Sequence, residues 1–299
     1  MERALLIVNP YSTKVTGDRI AAVEATMRSH VELRTEFTQA PGHATQLAAA
    51  AVGSVDAIVV FAGDGTYNEA LNGAPDGALP FGFLPGGGTS VFARALGLTR
   101  DPVAAARTVA TAIAQGRTRR ISLGSVNGRR FCFSAGIGFD GEAVRRLDAL
   151  GRDPGGARPG DIAFIRTVAK MLREHRGRWD PALDIEGYGR AAFLLVANCD
   201  PYTYAGALPL RVVPAAEFEL GLDFVAPERV RARSVPRMLS YILTGHGQLT
   251  AGDVHSGHDL DRFEVRCDRP LPLQADGEDL GDVTSAVFEA HRGAVSVFV

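Results

Sequence analysis

Cysteine is scarce in this chain: three residues, Cys132, Cys199 and Cys267, in 299. An odd, widely spaced set excludes a disulfide framework, and no spacing suits a zinc site. Buried, reduced thiols are the expectation. Long apolar runs are missing as well, and none approaches the roughly 20 residues that cross a bilayer as a helix. Met1-Glu2-Arg3 leads directly into an apolar strand pattern, so no signal peptide and a cytoplasmic location are expected. Excess charge of either sign is absent: 32 Lys and Arg against 34 Asp and Glu leave a net charge of −2. No global field therefore draws in nucleic acid or anionic lipid. Arg117-x-Arg119-Arg120 and Arg229-x-Arg231-x-Arg233 are local clusters and read first as solvated faces. The Gly-x-x-x-x-Gly-Lys-Ser/Thr phosphate loop, the protein-kinase motif set and the Gly-x-Ser-x-Gly nucleophile elbow do not occur. The histidines show no catalytic or metal spacing, and His255-x-x-His258 reads as part of a polar loop.

What the chain has is a core and a change of rhythm. Hydrophobic residues make up 46% and charged residues 22%, a globular composition at a length that suits two domains. Strand patterns at residues 5–8, 31–37, 57–61 and 79–84 alternate with helical ones at 18–29, 43–51, 67–71, 90–96 and 102–114. That alternation predicts a parallel sheet covered by helices. Past residue 120 the pattern turns to short strands, at 182–185, 191–197, 210–213, 222–225 and 263–267, with helices near 162–175 and 235–244. Asn127-Gly128 between two apolar runs is a type I′ hairpin signal. Residues 151–160, rich in Gly, Pro and Arg, read as a mobile loop, and residues 294–299 as a last strand. The fold class expected is α/β plus β: a parallel α/β domain over residues 1–120, and an antiparallel β-sandwich-like domain over 121–289, with a cleft between them.

Two glycine-rich turns carry the chemistry. Ala57-Ile58-Val59-Val60-Phe61-Ala62 runs into Gly63-Asp64-Gly65-Thr66-Tyr67-Asn68-Glu69, a buried strand opening through glycines into a helix. Such a junction presents backbone N–H groups and a helix dipole to an anion, and glycine lets a polyphosphate approach the backbone. Asp64 would repel that phosphate unless a metal ion or a transferable proton intervenes, which suggests phosphoryl transfer. A plain turn with Asp64 as an N-cap is the competing reading. The second junction runs from Leu79-Pro80-Phe81-Gly82-Phe83-Leu84 through Pro85-Gly86-Gly87-Gly88-Thr89 into the helix that begins Ser90-Val91-Phe92. Later, Asp276-Gly277-Glu278 places two carboxylates two residues apart, which suits either a proton acceptor with a positioning partner or a polar hairpin turn.

Asn9-Pro10-Tyr11-Ser12, Gly63-Asp64-Gly65-Thr66-x-Asn68-Glu69 and Leu84-Pro85-Gly86-Gly87-Gly88-Thr89-x-x-Phe92-Ala93-Arg94 together resemble the diacylglycerol kinase catalytic family. These soluble bacterial lipid kinases are related to sphingosine and ceramide kinases, and more remotely to NAD kinases. Gly136-Ile137-Gly138-Phe139-Asp140 and Asp276-Gly277-Glu278 follow in the family's order. The resemblance implies a NAD-kinase-like first domain to which residues 290–299 return. It also implies ATP with Mg²⁺ as the phosphoryl source and a lipid-like hydroxyl as acceptor, met during transient contact with a membrane surface, with no nucleic-acid partner. Asn9, Pro10, Ser12, Thr38, Gly63, Asp64, Gly65, Thr66, Asn68, Glu69, Gly87, Gly88 and Thr89 would line the nucleotide. Glu278 and Asp276 lead as the base, while Asp64 organises Mg²⁺-bound phosphate or serves as the base itself. No residue is assigned as a resident metal ligand.

Two departures matter. Gly88 and Ser90 stand where the family carries a hydroxyl and an asparagine, and Thr89 would have to compensate. Pro214-Ala215-Ala216-Glu217-Phe218-Glu219-Leu220-Gly221 offers only Glu219 where the family places two aspartates before a glycine, so its structural Mg²⁺ is expected to be absent. A NAD kinase, a kinase of a nonlipid alcohol and a catalytically silent lipid-binding regulator remain alternatives. Phe164-Ile165, Val168 and Met238-Leu239-x-Tyr241-Ile242-Leu243 would line an acyl-chain cleft or, as helical stripes usually do, pack in a core.

Overall fold

The computed structural model describes residues 2–151 and 161–299; most of the Gly-, Pro- and Arg-rich segment read as a loop, residues 152–160, lies outside the described residues. The chain divides into two compact units, residues 2–121 with 293–299, and residues 122–151 with 161–292. Among the described residues no helix is long and apolar enough to cross a membrane.

The first unit alternates β1 (Arg3–Val8), α1 (Gly17–Arg28), β2 (Glu32–Phe37), α2 (His43–Ala51), β3 (Ala57–Ala62), α3 (Asp64–Gly73), β4 (Phe81–Pro85), α4 (Val91–Ala95) and α5 (Pro102–Ala114). The strands pair in parallel in the order β2, β1, β3, β4. Val297, near the chain's end, adds to β4 in parallel opposite Phe81. Every residue of β3 and β4 is buried, as a sheet covered on both faces requires. Helix α1 packs on α5, and α2 on α3. The chain steps from β1 outward to β2 and then back past β1 to β3. The order of strands therefore reverses between β1 and β3, the place where open α/β sheets form a ligand crevice at their carboxyl ends.

The second unit is antiparallel. It opens with β5 (Arg119–Val126), which begins in the first unit, and continues with β6 (Arg129–Phe131), β7 (Ser134–Ile137), α6 (Phe139–Asp148) and α7 (Asp161–Glu174). Six short strands follow: β8 (Leu183–Ile185), β9 (Gly189–Ala191), β10 (Leu194–Ala197), β11 (Thr203–Ala205), β12 (Leu208–Leu210) and β13 (Leu222–Pro227). The unit closes with α8 (Val235–Thr244), β14 (Val254–Leu260), β15 (Arg262–Ala275) and β16 (Glu278–Val297), whose end joins the first unit. Strands β14, β13, β10, β7, β15 and β16 are neighbours in that order. Phe263 stacks on Phe288 and meets a tilted Phe224 in its core. Asn127 and Gly128 have φ of 49° and 82°, and Val126 pairs with Arg129, so the expected type I′ hairpin forms.

Three readings of the sequence change. His255 and His258 lie on β14, not in a loop: His258 Nδ1 bonds Asp223 Oδ2 at 2.7 Å, and His255 Nε2 lies 3.2 Å from the Arg190 carbonyl. Residues 139–148, which gave no helical signal, form α6. Gly141 is needed there because a Cβ would stand 2.3 Å from the Pro272 carbonyl oxygen, so a strand-facing helix was hidden behind a glycine motif. Leu239 and Leu243 pack in no core; each is about half exposed.

Candidate functional site

In the first unit the loops after β1, β3 and β4 come together. Asn9, immediately after β1, closes its own turn by accepting the Tyr11 N–H at Oδ1, 3.0 Å, and donates from Nδ2 to Thr66 Oγ1, 2.9 Å. That bond spans the reversal point of the sheet, because Thr66 sits in the first turn of α3 after β3. Gly63 and Gly87 touch through their backbones: a Cβ on Gly87 would stand 2.9 Å from Gly63 Cα. The two glycine turns meet by direct contact, and the contact itself demands glycine at position 87. Gly88 differs. It is exposed, and a Cβ there would meet nothing within 4 Å, so the protein's own packing does not require its glycine.

Asp64 does not cap α3, the helix it begins; the N-cap is Gly63, which gives no side-chain cap. Its carboxylate reaches across instead to α4, accepting the Val91 N–H at 2.9 Å and the Phe92 N–H at 3.0 Å. One side chain thus fastens the second glycine turn to the first. Ser90 finishes that turn from φ 49°, its Oγ lying 3.2 Å from the Gly87 N and 3.3 Å from the Gly87 carbonyl oxygen. The residue that departs from the family pattern therefore closes the loop internally. Tyr67 Oη donates to the Leu84 carbonyl at 2.6 Å, and burial pushes its phenol well above the usual range.

The remaining expected residues fall into two groups. Pro10 is exposed, and Ser12, Gly65 and Thr89 are half-buried around the loops. Thr38 is buried at the end of β2 and donates its N–H to the Val8 carbonyl, 2.9 Å, next to Asn9. Asn68 and Glu69 lie further along α3. Asn68 is buried, with Oδ1 accepting from Asn72 Nδ2 at 3.0 Å, and the Glu69 carbonyl accepts from Thr45 Oγ1 at 2.9 Å. Lys14 escaped the sequence reading. Its N–H donates to the Gly86 carbonyl at 2.8 Å and its Nζ to the Gly88 carbonyl at 3.2 Å, placing a cation on the glycine loop. Rarity was a usable signal, since Lys14 is one of only two lysines in the chain.

In the second unit, Asp276 and Gly277 form the tip of the β15–β16 hairpin. Their φ values are 49° and 77°, and Ala275 pairs with Glu278, which is the geometry of a two-residue type I′ turn. The Asp276 carboxylate is buried and accepts three backbone N–H groups, from Cys132 at 2.6 Å, Phe133 at 3.0 Å and Ser134 at 3.2 Å. Glu278, first out of the turn, is half-buried and ion-paired with Arg129. Asp279 takes a bidentate grip from Arg145, at 2.8 and 3.0 Å, which holds its carboxyl below the usual range; Arg145 also meets Asp282 at 2.6 Å.

The Gly136-Ile137-Gly138-Phe139-Asp140 motif supports this turn from beneath. Asp140 is buried; its Oδ2 lies 2.6 Å from Tyr202 Oη and 2.5 Å from Gln274 Nε2, and burial pushes its carboxyl upward. Gln274 in turn accepts the Gly277 N–H at 2.9 Å. Arg129, Arg145 and Gln274 were not legible as partners, because each reaches its carboxylate or glycine through tertiary contacts. Among the described residues no group of three or more His, Cys, Asp or Glu side chains is arranged to hold a metal ion.

Residues 3–126 match the family described as the diacylglycerol kinase catalytic domain. Over 143 residues the chain is 38% identical to the diacylglycerol kinase of Bacillus subtilis (strain 168), a match covering 46% of each protein. The matched segment spans about half the length of the curated relatives. Among solved structures, a diacylglycerol kinase from Bacillus anthracis str. Sterne shares the fold, with a TM-score of 0.74 at 19% identity over 99% of this chain and 96% of that one. Residues 3–126, which hold both glycine turns, thus match the diacylglycerol kinase catalytic domain family.

Proposed function

We propose that this chain is a kinase that transfers the γ-phosphoryl group of ATP to a hydroxyl on a lipid-like acceptor of the diacylglycerol or sphingoid type, acting in the cytoplasm. The observation that carries the reading is the contact of Gly63 with Gly87 at the carboxyl ends of β3 and β4, next to the reversal point of the parallel sheet, with an exposed Gly88 beside it. Backbone that close to open solvent, at the start of a helix whose N-cap offers no side chain, fits a nucleotide's phosphates. Lys14 adds a positive charge to the same loop.

Asn9, Thr66 and Thr38 would border the nucleotide from the ends of β1, β3 and β2. Mg²⁺ carried by the phosphates would neutralise their charge. Asp64 uses both carboxylate oxygens to hold α4, which makes it first the clasp between the two turns. We assign the acceptor's proton to Glu278, because the Asp276 carboxylate is sealed by three N–H donors and Glu278 stands half-exposed beside it. In the transfer the acceptor oxygen bonds to the γ-phosphorus, the bond to the bridging oxygen breaks, ADP leaves, and the hydroxyl proton passes to the Glu278 carboxylate. Little basicity is required when the proton moves late in a loose transition state. Asp276 then sets the position of Glu278 through the hairpin tip.

The decisive assay is ATP turnover against a panel of lipid and nonlipid alcohols, with products weighed by mass spectrometry. Phosphorylated lipid is the expected product. A phosphorylated dinucleotide or nonlipid alcohol, or no product with any acceptor, would overturn the reading.

A further inference from the structure

Helix α8 carries a broad apolar stripe, and only part of it has a partner. Val235 and Met238 pack against Ala192, Phe193 and Val230, and Ile242 packs against the cluster around Ala197 and Val213. Beside that packed stripe Leu239 and Leu243, four residues apart and so on one face, are 46% and 51% exposed. Leu249, shortly after the helix, is 41% exposed. The β11–β12 hairpin, anchored on α8 by the Arg211 N–H to the Ile242 carbonyl at 2.8 Å, carries the exposed Leu208. Monomeric surfaces scatter such residues singly; here three fall on one helix and the hairpin anchored to it, and a fourth follows the helix by five residues.

The same part of the unit is strongly basic in a chain that is not. Trp179 and Val230 exchange backbone hydrogen bonds of 3.1 and 2.9 Å, and a Cβ on Gly177 would stand 3.0 Å from Ala232 Cα, so the end of α7 lies against the entry to α8. Residues 163–180 and 228–253 together hold nine Lys and Arg against four Asp and Glu, a charge of +5 within a chain of −2. Arg166, Arg173, Arg176, Arg178 and Arg233 pair with no carboxylate among the described residues. An open cavity of about 480 Å³ lies before α8, lined by Arg229, Arg231, Arg233 and Arg237 with Ser234, Glu228 and Asp253.

We propose that the outer face of α8 with this arginine belt is a docking surface for an anionic lipid bilayer. The charge selects the occupant. A second copy seated on the same face would set +5 against +5, whereas exposed leucines on α8, with unpaired guanidinium groups at its entry and on the adjoining end of α7, match an acyl boundary under anionic headgroups. The surface stands on its own observations; it deepens the kinase reading, in which a lipid acceptor must be reached from water, by naming where the bilayer is met.

The test is flotation of the full chain with phosphatidylcholine vesicles, with and without phosphatidylglycerol, in the absence of ATP. Binding should be at least ~10-fold tighter with phosphatidylglycerol and should weaken with salt. The double variant Leu239→Ser/Leu243→Ser should lose about 10-fold at unchanged Tm, and Arg173→Gln/Arg233→Gln should lose a similar factor with a shallower salt dependence. Because all four side chains are exposed, the fold should survive, and the arginine variant decides if the leucine variant unfolds. Equal binding of wild type and variants, indifference to phosphatidylglycerol, or a dimer in light scattering that the leucine variant dissolves would overturn the proposal. Turnover of a detergent-dispersed acceptor, measured in parallel, separates the two claims: vesicle binding without turnover sinks the kinase reading alone, and turnover without vesicle binding sinks the docking surface alone.

Discussion

The Asp-Gly pair occurs at both centres of interest, and its two settings differ in backbone geometry and in burial. Asp64-Gly65 opens a helix, and its carboxylate reaches 27 and 28 residues along the chain to clasp a neighbouring loop. Asp276-Gly277 reverses a hairpin through two left-handed residues, and its carboxylate is sealed by three N–H groups from a segment more than 140 residues away. In both places the aspartate orders backbone; the more open residues beside it are Gly88 in one unit and Glu278, ion-paired with Arg129, in the other. A motif's acidic residue can thus be its frame rather than its reagent.

The largest effect expected from breaking this comparison is on turnover. Glu278→Gln is nearly isosteric but cannot accept the proton, so kcat should fall ~10²–10⁴-fold. ATP affinity, read by calorimetry, should hardly move, because the lost interaction is made only as the hydroxyl attacks. Near-normal turnover in this variant together with a dead Asp64→Asn would transfer the base to Asp64.

Next in size are the two frames themselves. Asp276→Ala strands three buried N–H groups and should destabilise by about 3 kcal/mol, lowering Tm by roughly 10 °C. Asp64→Ala removes a half-buried helix cap and should cost about 1 kcal/mol, or roughly 3 °C. Thermal melts giving the reverse order would show that the deeper seal is not the stronger frame.

The smallest effect concerns pH. The hydrogen bond to Asp223, and then its charge, hold His258 above the ordinary imidazole range. A raised folded-state value means the pair's contribution is fully present below about pH 6.5. It is lost as pH rises through the folded value. Tm of the wild type should therefore decline slightly above neutrality relative to His258→Gln, and parallel profiles for the two would contradict the pairing.

How far the sequence foretold this depends on whether the signal was local. The parallel unit was legible because its buried strands are unbroken apolar runs and its helices start at glycine turns or caps. The Asn127-Gly128 hairpin was legible because a type I′ turn demands those residues. Strand β14, Val-His-Ser-Gly-His-Asp-Leu, was not: it has little β propensity, and it is fixed by pairing with β13 and by Asp223 holding His258. The great length of β15 was hidden by register shifts between Arg266 and Leu271 and again between Pro272 and Gln274. At the site, residue types and loops could be named in advance, but their bonds could not. Nothing near Asp276 in the sequence announces Cys132, Phe133 and Ser134 as its donors, and nothing near Ser90 shows that it would close the glycine loop.

The central claim, that the joined glycine turns receive the phosphates of a nucleotide, is tested most directly by calorimetric titration of Gly88→Val with Mg²⁺-ATP. A side chain there meets no protein atom within 4 Å, so the fold and Tm should be unchanged. ATP affinity should fall by ~10-fold or more as the approach to the backbone is filled. Unaltered affinity in the folded variant would contradict the account.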